Sequence, residues 1–90
     1  MDYGLIAFSS TYAAIYAQKA LKPVAPVQVM PVLREISASC GIALRVEPAH
    51  WGAARAALAA CELAPGEYAF YAVSSGPPAL RVRPVGAQEP

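Results

Sequence analysis

The chain has 90 residues, a net charge of +1 and a hydrophobic content of 57%, a size that fits one small domain. Its basic residues form no stripe, which argues against nucleic acid as the main partner. No stretch reaches the roughly 18–20 apolar residues of a membrane span, and the start Met1-Asp2-Tyr3 lacks a basic signal region, so we expect a cytoplasmic protein.

The first third of the chain predicts a strand, a helix and a second strand. Residues 4–8 form a short apolar run of strand length. Residues 12–22 have apolar side chains at helical spacing, the hydroxyls of residues 9–11 can cap the helix start, and Pro23 stops the helix. Residues 27–30 lie between two prolines, which predicts a strand at or near a sheet edge.

The middle of the chain predicts a third strand, a second helix and a fourth strand. Residues 41–46 alternate apolar and other side chains, which places Arg45 on the face opposite the packed one. Residues 49–62 have a helical stripe of four apolar side chains, namely Trp51, Ala54, Leu58 and Cys61. Residues 68–73 are apolar at every position and predict a last strand.

This order of elements predicts an α+β domain. Strand, helix, strand, strand, helix, strand is the βαββαβ order of ferredoxin-like folds, with a four-stranded antiparallel sheet and both helices on one face. We assign residues 1–73 to this domain. Residues 74–90, rich in proline and glycine, are predicted to be a mobile tail in which residues 80–83 can be extended.

The uncovered sheet face raises the question of assembly. Strand alternation sends half of the side chains of residues 68–73 to that face. An apolar patch on so small a domain is usually covered, so we expect a homodimer formed through the open faces. The alternative is that the tail after Ser74 folds back over the patch.

The connection between the second and third strands is the first feature that suggests function. It spans about residues 31–40, roughly twice the 2–5 residues of an ordinary hairpin loop. It contains Arg34 and Glu35, which are either a solvated pair or, in the case of Arg34, an anion-binding or loop-holding group. Extra loop length costs ordering entropy without adding core, which favours a functional role.

Cys40 ends this connection and is the leading candidate for chemistry. Gly41 beside it permits close backbone approach or a positive φ. Positive charge on Arg34 and Arg45 would lower the thiol pKa, and the hydroxyls of Ser37 and Ser39 can donate to sulfur. The alternative is that Cys40 is a small buried apolar residue, which continued strand alternation from Ile42 would favour.

Neither the second cysteine, Cys61, nor the single histidine, His50, indicates a metal or cofactor site. Cys61 shares the apolar stripe of the second helix and is predicted to lie in the core. With Cys40 it could form at most one disulfide, which a reducing compartment disfavours. A structural zinc site needs about four closely spaced ligands, and two distant cysteines with His50 do not supply them.

Two segments resemble a known family. Residues 31–46, P-V-L-R-E-I-S-A-S-C-G-I-A-L-R-V, resemble the "P-R-E-I-S-S-S-C-G-L-A-L-R-F" segment of the selenium/sulfur carrier-like family. Phe8-Ser9-Ser10-Thr11, with Ala14, Ala17 and Leu21, is similar to its "F-x-S-T-x-x-A-x-x-A-E-x-x-L" segment. In this chain either two extra residues, Val32 and Leu33, separate the proline from the arginine, or Leu33 replaces the family's proline. Ala38 stands in place of a serine and Gln18 in place of a glutamate.

The resemblance implies a carrier. In that interpretation Cys40 holds sulfur or selenium as a persulfide-type adduct and passes it to a partner protein that transfers sulfur or selenium. The implied supporting residues are Arg34, Glu35, Ser37, Ser39, Gly41 and Arg45. Such a protein is a carrier or accessory protein rather than a turnover enzyme. The alternative is a non-catalytic dimerising or partner-binding module in which Cys40 is structural, and exposure of Cys40 would separate the two.

Overall fold

The computed structural model describes residues 2–31, 41–74 and 81–85. In chain order, the strands are β1 (Tyr3–Phe8), β2 (Val27–Pro31), β3 (Ile42–Val46), β4 (Tyr68–Ser74) and β5 (Arg81–Val85). The helices are α1 (Thr11–Leu21), between β1 and β2, and α2 (Pro48–Ala60), between β3 and β4. A 3-10 turn at Pro65–Glu67 leads into β4.

The strands form one antiparallel sheet in the order β2-β3-β1-β4-β5. The predicted α+β class is confirmed. The predicted number of strands was four and the sheet has five, because β5 pairs with the outer edge of β4, from Ser74 opposite Arg81 to Phe70 opposite Val85. Strand β5 lies among the residues predicted as a tail, where Pro84 obscured a strand pattern. At the sheet edge a proline is tolerated, since its missing N–H breaks no inner ladder.

Both helices pack on the same face of the sheet, as predicted. Helix α1 begins where the Ser10 hydroxyl accepts a hydrogen bond from the Ala13 N–H at 3.1 Å, an N-cap that the sequence predicted. The helix-side core joins apolar residues of β1, β3 and β4 to both helices. Its largest members include Ile6, Phe8, Leu21, Leu44, Trp51, Leu58 and Phe70.

A glycine in β1 makes this packing possible. The ring of Trp51 lies directly against Gly4, so that a Cβ on residue 4 would fall 2.4 Å from ring carbons Cε3 and Cζ3. The same ring meets Phe70 edge-on, with centroids 5.4 Å apart. The absence of a Cβ on Gly4 therefore lets the start of α2 pack close to the middle of the sheet.

The face opposite the helices is less open than the sequence suggested. Tyr71 and Val73 point to this face, while Phe70 and Ala72 point to the helices. Four side chains of this face are buried, namely Leu5, Ala7, Ala43 and Val73. Half-buried side chains of Tyr3, Met30, Tyr71 and Val82 pack around them. The exposed apolar side chains of this face among the described residues are the small ones of Ala69 and Pro84, so it offers a partner less apolar area than strand alternation suggested.

Within the described part of the chain, no helix has both the length and the apolar character needed to cross a membrane. The longer of the two, α2, has 13 residues. A spanning helix needs about 20.

Candidate functional site

The predicted site divides between two parts of the chain. Gly41 and Arg45 lie among the described residues, and their surroundings can be stated. Arg34, Glu35, Ser37, Ser39 and Cys40 lie outside the described residues, so their roles stay predictions. Among the residues that the structure describes, no group of three or more His, Cys, Asp or Glu side chains could hold a metal ion.

The two ends of the cysteine-bearing connection meet at one end of the sheet. Strand β2 finishes at Pro31 and β3 starts at Ile42, and these two residues are register partners. The strand residues on either side of this connection, Pro31 and Ile42, are therefore direct neighbours in the sheet. Gly41, which is bonded to Cys40, is exposed at this end.

The start of α1 lies at the same end. Strands β1 and β3 are antiparallel, with Ala7 opposite Ala43, so the last residue of β1 and the first residue of β3 reach this end together. Ser9 and Gly41 are the next residues beyond them. Residues 8–11 of one family segment thus lie at the same end of the sheet as Pro31, Gly41 and Ile42, the described residues that flank residues 32–40 of the other segment.

A helix N-terminus gives this end of the sheet a distinct electrostatic character. The first N–H groups of α1 have no partner within the helix and carry partial positive charge. The Ser10 hydroxyl accepts one of these hydrogen bonds, from Ala13. The first turn of α1 contains no acidic residue that would offset the positive end. An anionic sulfur species near Ser9 and Gly41 would be stabilised by this field.

Gly41 itself is not required by local geometry. Its φ lies outside the left-handed region, and a Cβ built on it meets nothing within 4 Å. The sequence suggested a positive φ or a close backbone approach, and the described residues provide neither reason. A glycine with open space above it leaves the backbone accessible from outside the domain.

Arg45 is held away from Gly41. Its Nε donates to Glu47 Oε2 at 2.9 Å, and its guanidinium lies 4.1 Å from the centroid of the Tyr3 ring. Both contacts lie toward the opposite end of β3, since Val46 pairs with Gly4 at the start of β1. Four residues at about 3.4 Å each put the Cα atoms of Arg45 and Gly41 about 14 Å apart. The predicted position of Arg45 on the face opposite the helices is correct, but its contacts do not bring its charge beside Gly41.

Cys61 lies at the end of α2 and is half-buried against the helix-side core. Its thiol donates to the Leu58 carbonyl at 3.1 Å. The other three members of the predicted stripe, Trp51, Ala54 and Leu58, are buried. Helix α2 runs back toward β4, whose Tyr68 pairs with Phe8, so Cys61 lies at the same end of the domain as Gly41.

Sequence reasoning identified the cysteine-bearing connection and missed the contribution of α1. Ser9, Ser10 and Thr11 were interpreted as capping residues and as part of the family pattern, but not as neighbours of Gly41. Their place beside the start of β3 follows from the antiparallel β1–β3 pair, and that pair was implicit in the predicted fold. The predicted strand order was therefore sufficient to place these three residues beside the start of β3.

Comparison with known proteins places these features in a family. The family model described as "Putative Se/S carrier protein-like" matches residues 3–68, from the start of β1 to the first residue of β4. No curated protein and no solved structure matches the chain significantly. The matched region contains residues 8–11 and 31–46 and most of the sheet. The chain therefore belongs to the Se/S carrier protein-like family.

Proposed function

We propose that this protein is a sulfur or selenium carrier that holds its cargo on Cys40. The observation that carries the proposal is that residues 8–11, at the N-terminus of α1, lie at the same end of the sheet as Pro31 and Gly41, which flank residues 32–40. Family membership supplies the expected cargo. The helix terminus supplies a physical reason for a reactive thiol at this place.

The proposed reaction is an exchange between sulfur atoms. The Cys40 thiolate attacks the outer sulfur of a donor persulfide, R–S–SH. A new S–S bond forms on Cys40, the donor S–S bond breaks, and the donor leaves as the thiolate R–S⁻. An acceptor thiolate then removes the outer sulfur in the same way. No external oxidant, reductant, cofactor or metal is needed, since one S–S bond replaces another.

The positive end of α1 would assist both halves of this exchange. The attacking thiolate and the Cys40 persulfide anion carry negative charge, and a helix N-terminus stabilises such charge by about 0.3–1 kcal/mol at an exposed site. Arg34 is proposed to add positive charge, and Ser37 and Ser39 to donate hydrogen bonds to sulfur. Glu35 is proposed to pair with Arg34. For Arg45 the described contacts favour a structural role on β3.

A carrier needs partners and a reducing compartment. We infer that the donor and the acceptor are sulfur- or selenium-transfer proteins, because the cargo must be loaded and unloaded by exchange. Cytoplasmic residence is proposed since a reducing environment keeps the Cys40 thiol free. A homodimer is also proposed.

The domain type is proposed to be ferredoxin-like with one added strand. The order β2-β3-β1-β4 with two helices on one face follows the split βαβ arrangement. Strand β5 extends this sheet at the β4 edge. The proposed domain boundary at residues 73/74 would then separate the shared four-stranded unit from this addition.

Mass spectrometry of the protein purified from cells tests the carrier proposal. We expect one added sulfur or selenium atom on the wild-type chain and on Cys61→Ser, and none on Cys40→Ser. Incubation with a low-molecular-weight persulfide should reload the first two proteins and leave the third unchanged. An adduct on Cys61, or equal loading of all three proteins, would refute the proposal and favour the binding-module alternative.

A further inference from the structure

The outer edge of β2 is the surface of this domain best suited to a second copy of the chain. Among the described strands, β2 ends the sheet on one side and has no neighbour beyond it. Among the residues that the structure describes, the large apolar side chains that are exposed lie in β2, just before it and on α1. They are Tyr12 at 69%, Ile15 and Val29 at 47% and Val24 at 45% exposed.

The face opposite the helices is poorly suited to the same task. A partner gains free energy from apolar area that is exposed before binding. On that face Leu5, Ala43 and Val73 are already fully buried. Among the described apolar residues of that face, a dimer would cover half-buried side chains and the small exposed ones of Ala69 and Pro84. The dimer surface expected from strand alternation is therefore not the one that the packing favours.

The two edges of the sheet differ in how they are protected. Strand β5 carries Arg81 and Arg83, both exposed, and Pro84 within the strand, which are features that discourage strand addition. Strand β2 has no charged residue, and its single proline, Pro31, is its last residue. Self-pairing of β5 would bring arginines together, whereas self-pairing of β2 brings no like charges together.

We infer that two copies of the chain pair antiparallel through β2, with Val29 opposite Val29 of the second copy. A two-fold axis perpendicular to the sheet generates this antiparallel pair from one strand. Val29 is the middle residue of β2, so Gln28 then lies opposite Met30 of the second copy. Val29 shares the helix side of the sheet with its register partner Leu44.

Helix α1 adds apolar area on the same side. Gln18 and Lys22 of α1 line a groove of about 270 Å³ with Ala25, Pro26 and Val27 at the start of β2, which identifies the helix flank that faces this strand. Ile15 precedes Gln18 by three residues and lies on that flank. Ile15 of each copy therefore borders the proposed strand pair.

The pairing has a consequence for the proposed carrier site. Val27 of one copy comes beside Pro31 of the other, so the groove lined by Gln18 and Lys22 lies next to the residue from which the connection to Cys40 departs. Lys22 of the second copy would bring a positive charge to that end of the sheet. This consequence rests on the proposed function, whereas dimerisation through β2 does not.

Sedimentation equilibrium on the full chain tests the inference through a charge swap. We expect a wild-type dimer, with Val29→Lys and Val29→Glu each raising its dissociation constant by at least about 10-fold, because each variant puts like charges directly opposite. An equimolar mixture of the two variants should recover dimers, since opposite charges then meet. Tyr12→Lys is the matched control, because Tyr12 is more exposed than Val29 but lies on the side of α1 that faces α2. Tyr12 stands beside Tyr16, and the Tyr16 hydroxyl accepts a hydrogen bond from the Glu62 N–H, just after α2.

Three results would overturn the inference. They are a wild-type chain that stays monomeric at high concentration, a Val29→Lys variant that dimerises as tightly as Tyr12→Lys, and a variant mixture that remains monomeric. Circular dichroism of each variant checks that it is folded before sedimentation. Sulfur loading of Cys40 is measured separately, so failure of the dimer and failure of the carrier proposal give different results.

Discussion

Replacing Gly4 by alanine tests the closest contact in the core. The added Cβ would lie 2.4 Å from two ring carbons of Trp51 and 2.8 Å from a third. Carbon atoms in contact prefer about 3.5–4.0 Å, so the indole must move by about 1 Å or more. Trp51 is only 6% exposed and its ring meets Phe70 edge-on, so little room exists for this movement.

The expected cost follows from two effects. Overpacking a well-packed core by one methyl costs about 1–3 kcal/mol. Displacing Trp51 from Phe70 weakens an aromatic pair worth about 0.5–1.5 kcal/mol beyond its buried area. Alanine recovers about 0.4–1 kcal/mol by restricting the unfolded chain. We therefore expect the free energy of unfolding to fall by about 2–3 kcal/mol, or the melting temperature by about 10–20 °C.

Urea unfolding followed by Trp51 fluorescence measures this change. Two glycines provide matched controls, because a Cβ on Gly41 or on Gly52 meets nothing within 4 Å. Gly41→Ala should stay within about 0.5 kcal/mol of wild type. Gly52→Ala, in the exposed face of α2, should stabilise the protein by about 0.5–1 kcal/mol. If Gly4→Ala unfolds at the wild-type urea concentration, the Trp51–Gly4 contact does not constrain the fold.

Three further predictions concern the thiols, the core and the helix start. Cys40 should react with an alkylating reagent much faster than Cys61, whose thiol is half-buried and bonded to the Leu58 carbonyl, and faster labelling of Cys61 in a peptide map would contradict the site assignment. Leu58→Ala should lower the free energy of unfolding in urea by about 2–5 kcal/mol, because Leu58 is fully buried. Cys40→Ser should lower it far less, and the reverse order would place Cys40 in the core. Ser10→Ala should cost about 0.5–2 kcal/mol through loss of the N-cap bond to Ala13, while Ser10→Asp should retain stability, and equal stability of all three proteins would show that the cap contributes nothing.

Much of the secondary structure could be predicted from the sequence because its signals are local. Apolar alternation in β3, the hydroxyl before α1 and the proline at the start of α2 each act within a few residues. The predicted bounds of the first four strands and both helices accordingly lie within one or two residues of the observed ones. The family segments were also readable in the chain, and the family model confirms the membership that they indicated.

The tertiary structure decided the features that depend on distant residues. Strand β5 forms by pairing with the edge of β4, whereas its own sequence pattern, interrupted by Pro84, does not predict a strand. Nothing in the sequence around Gly4 distinguishes it from other strand glycines. Its role depends on Trp51, which packs against it from a helix more than forty residues later in the chain.

The candidate site shows the same division. Its segments were recognisable in the sequence, but the convergence of Ser9 with Gly41 comes from the β1–β3 register. Arg45, expected near Cys40 from its position in the chain, lies near the other end of β3, where it contacts Glu47 and Tyr3. Sequence separation measures distance along the backbone, whereas charge and packing act through space, and only the folded sheet relates the two.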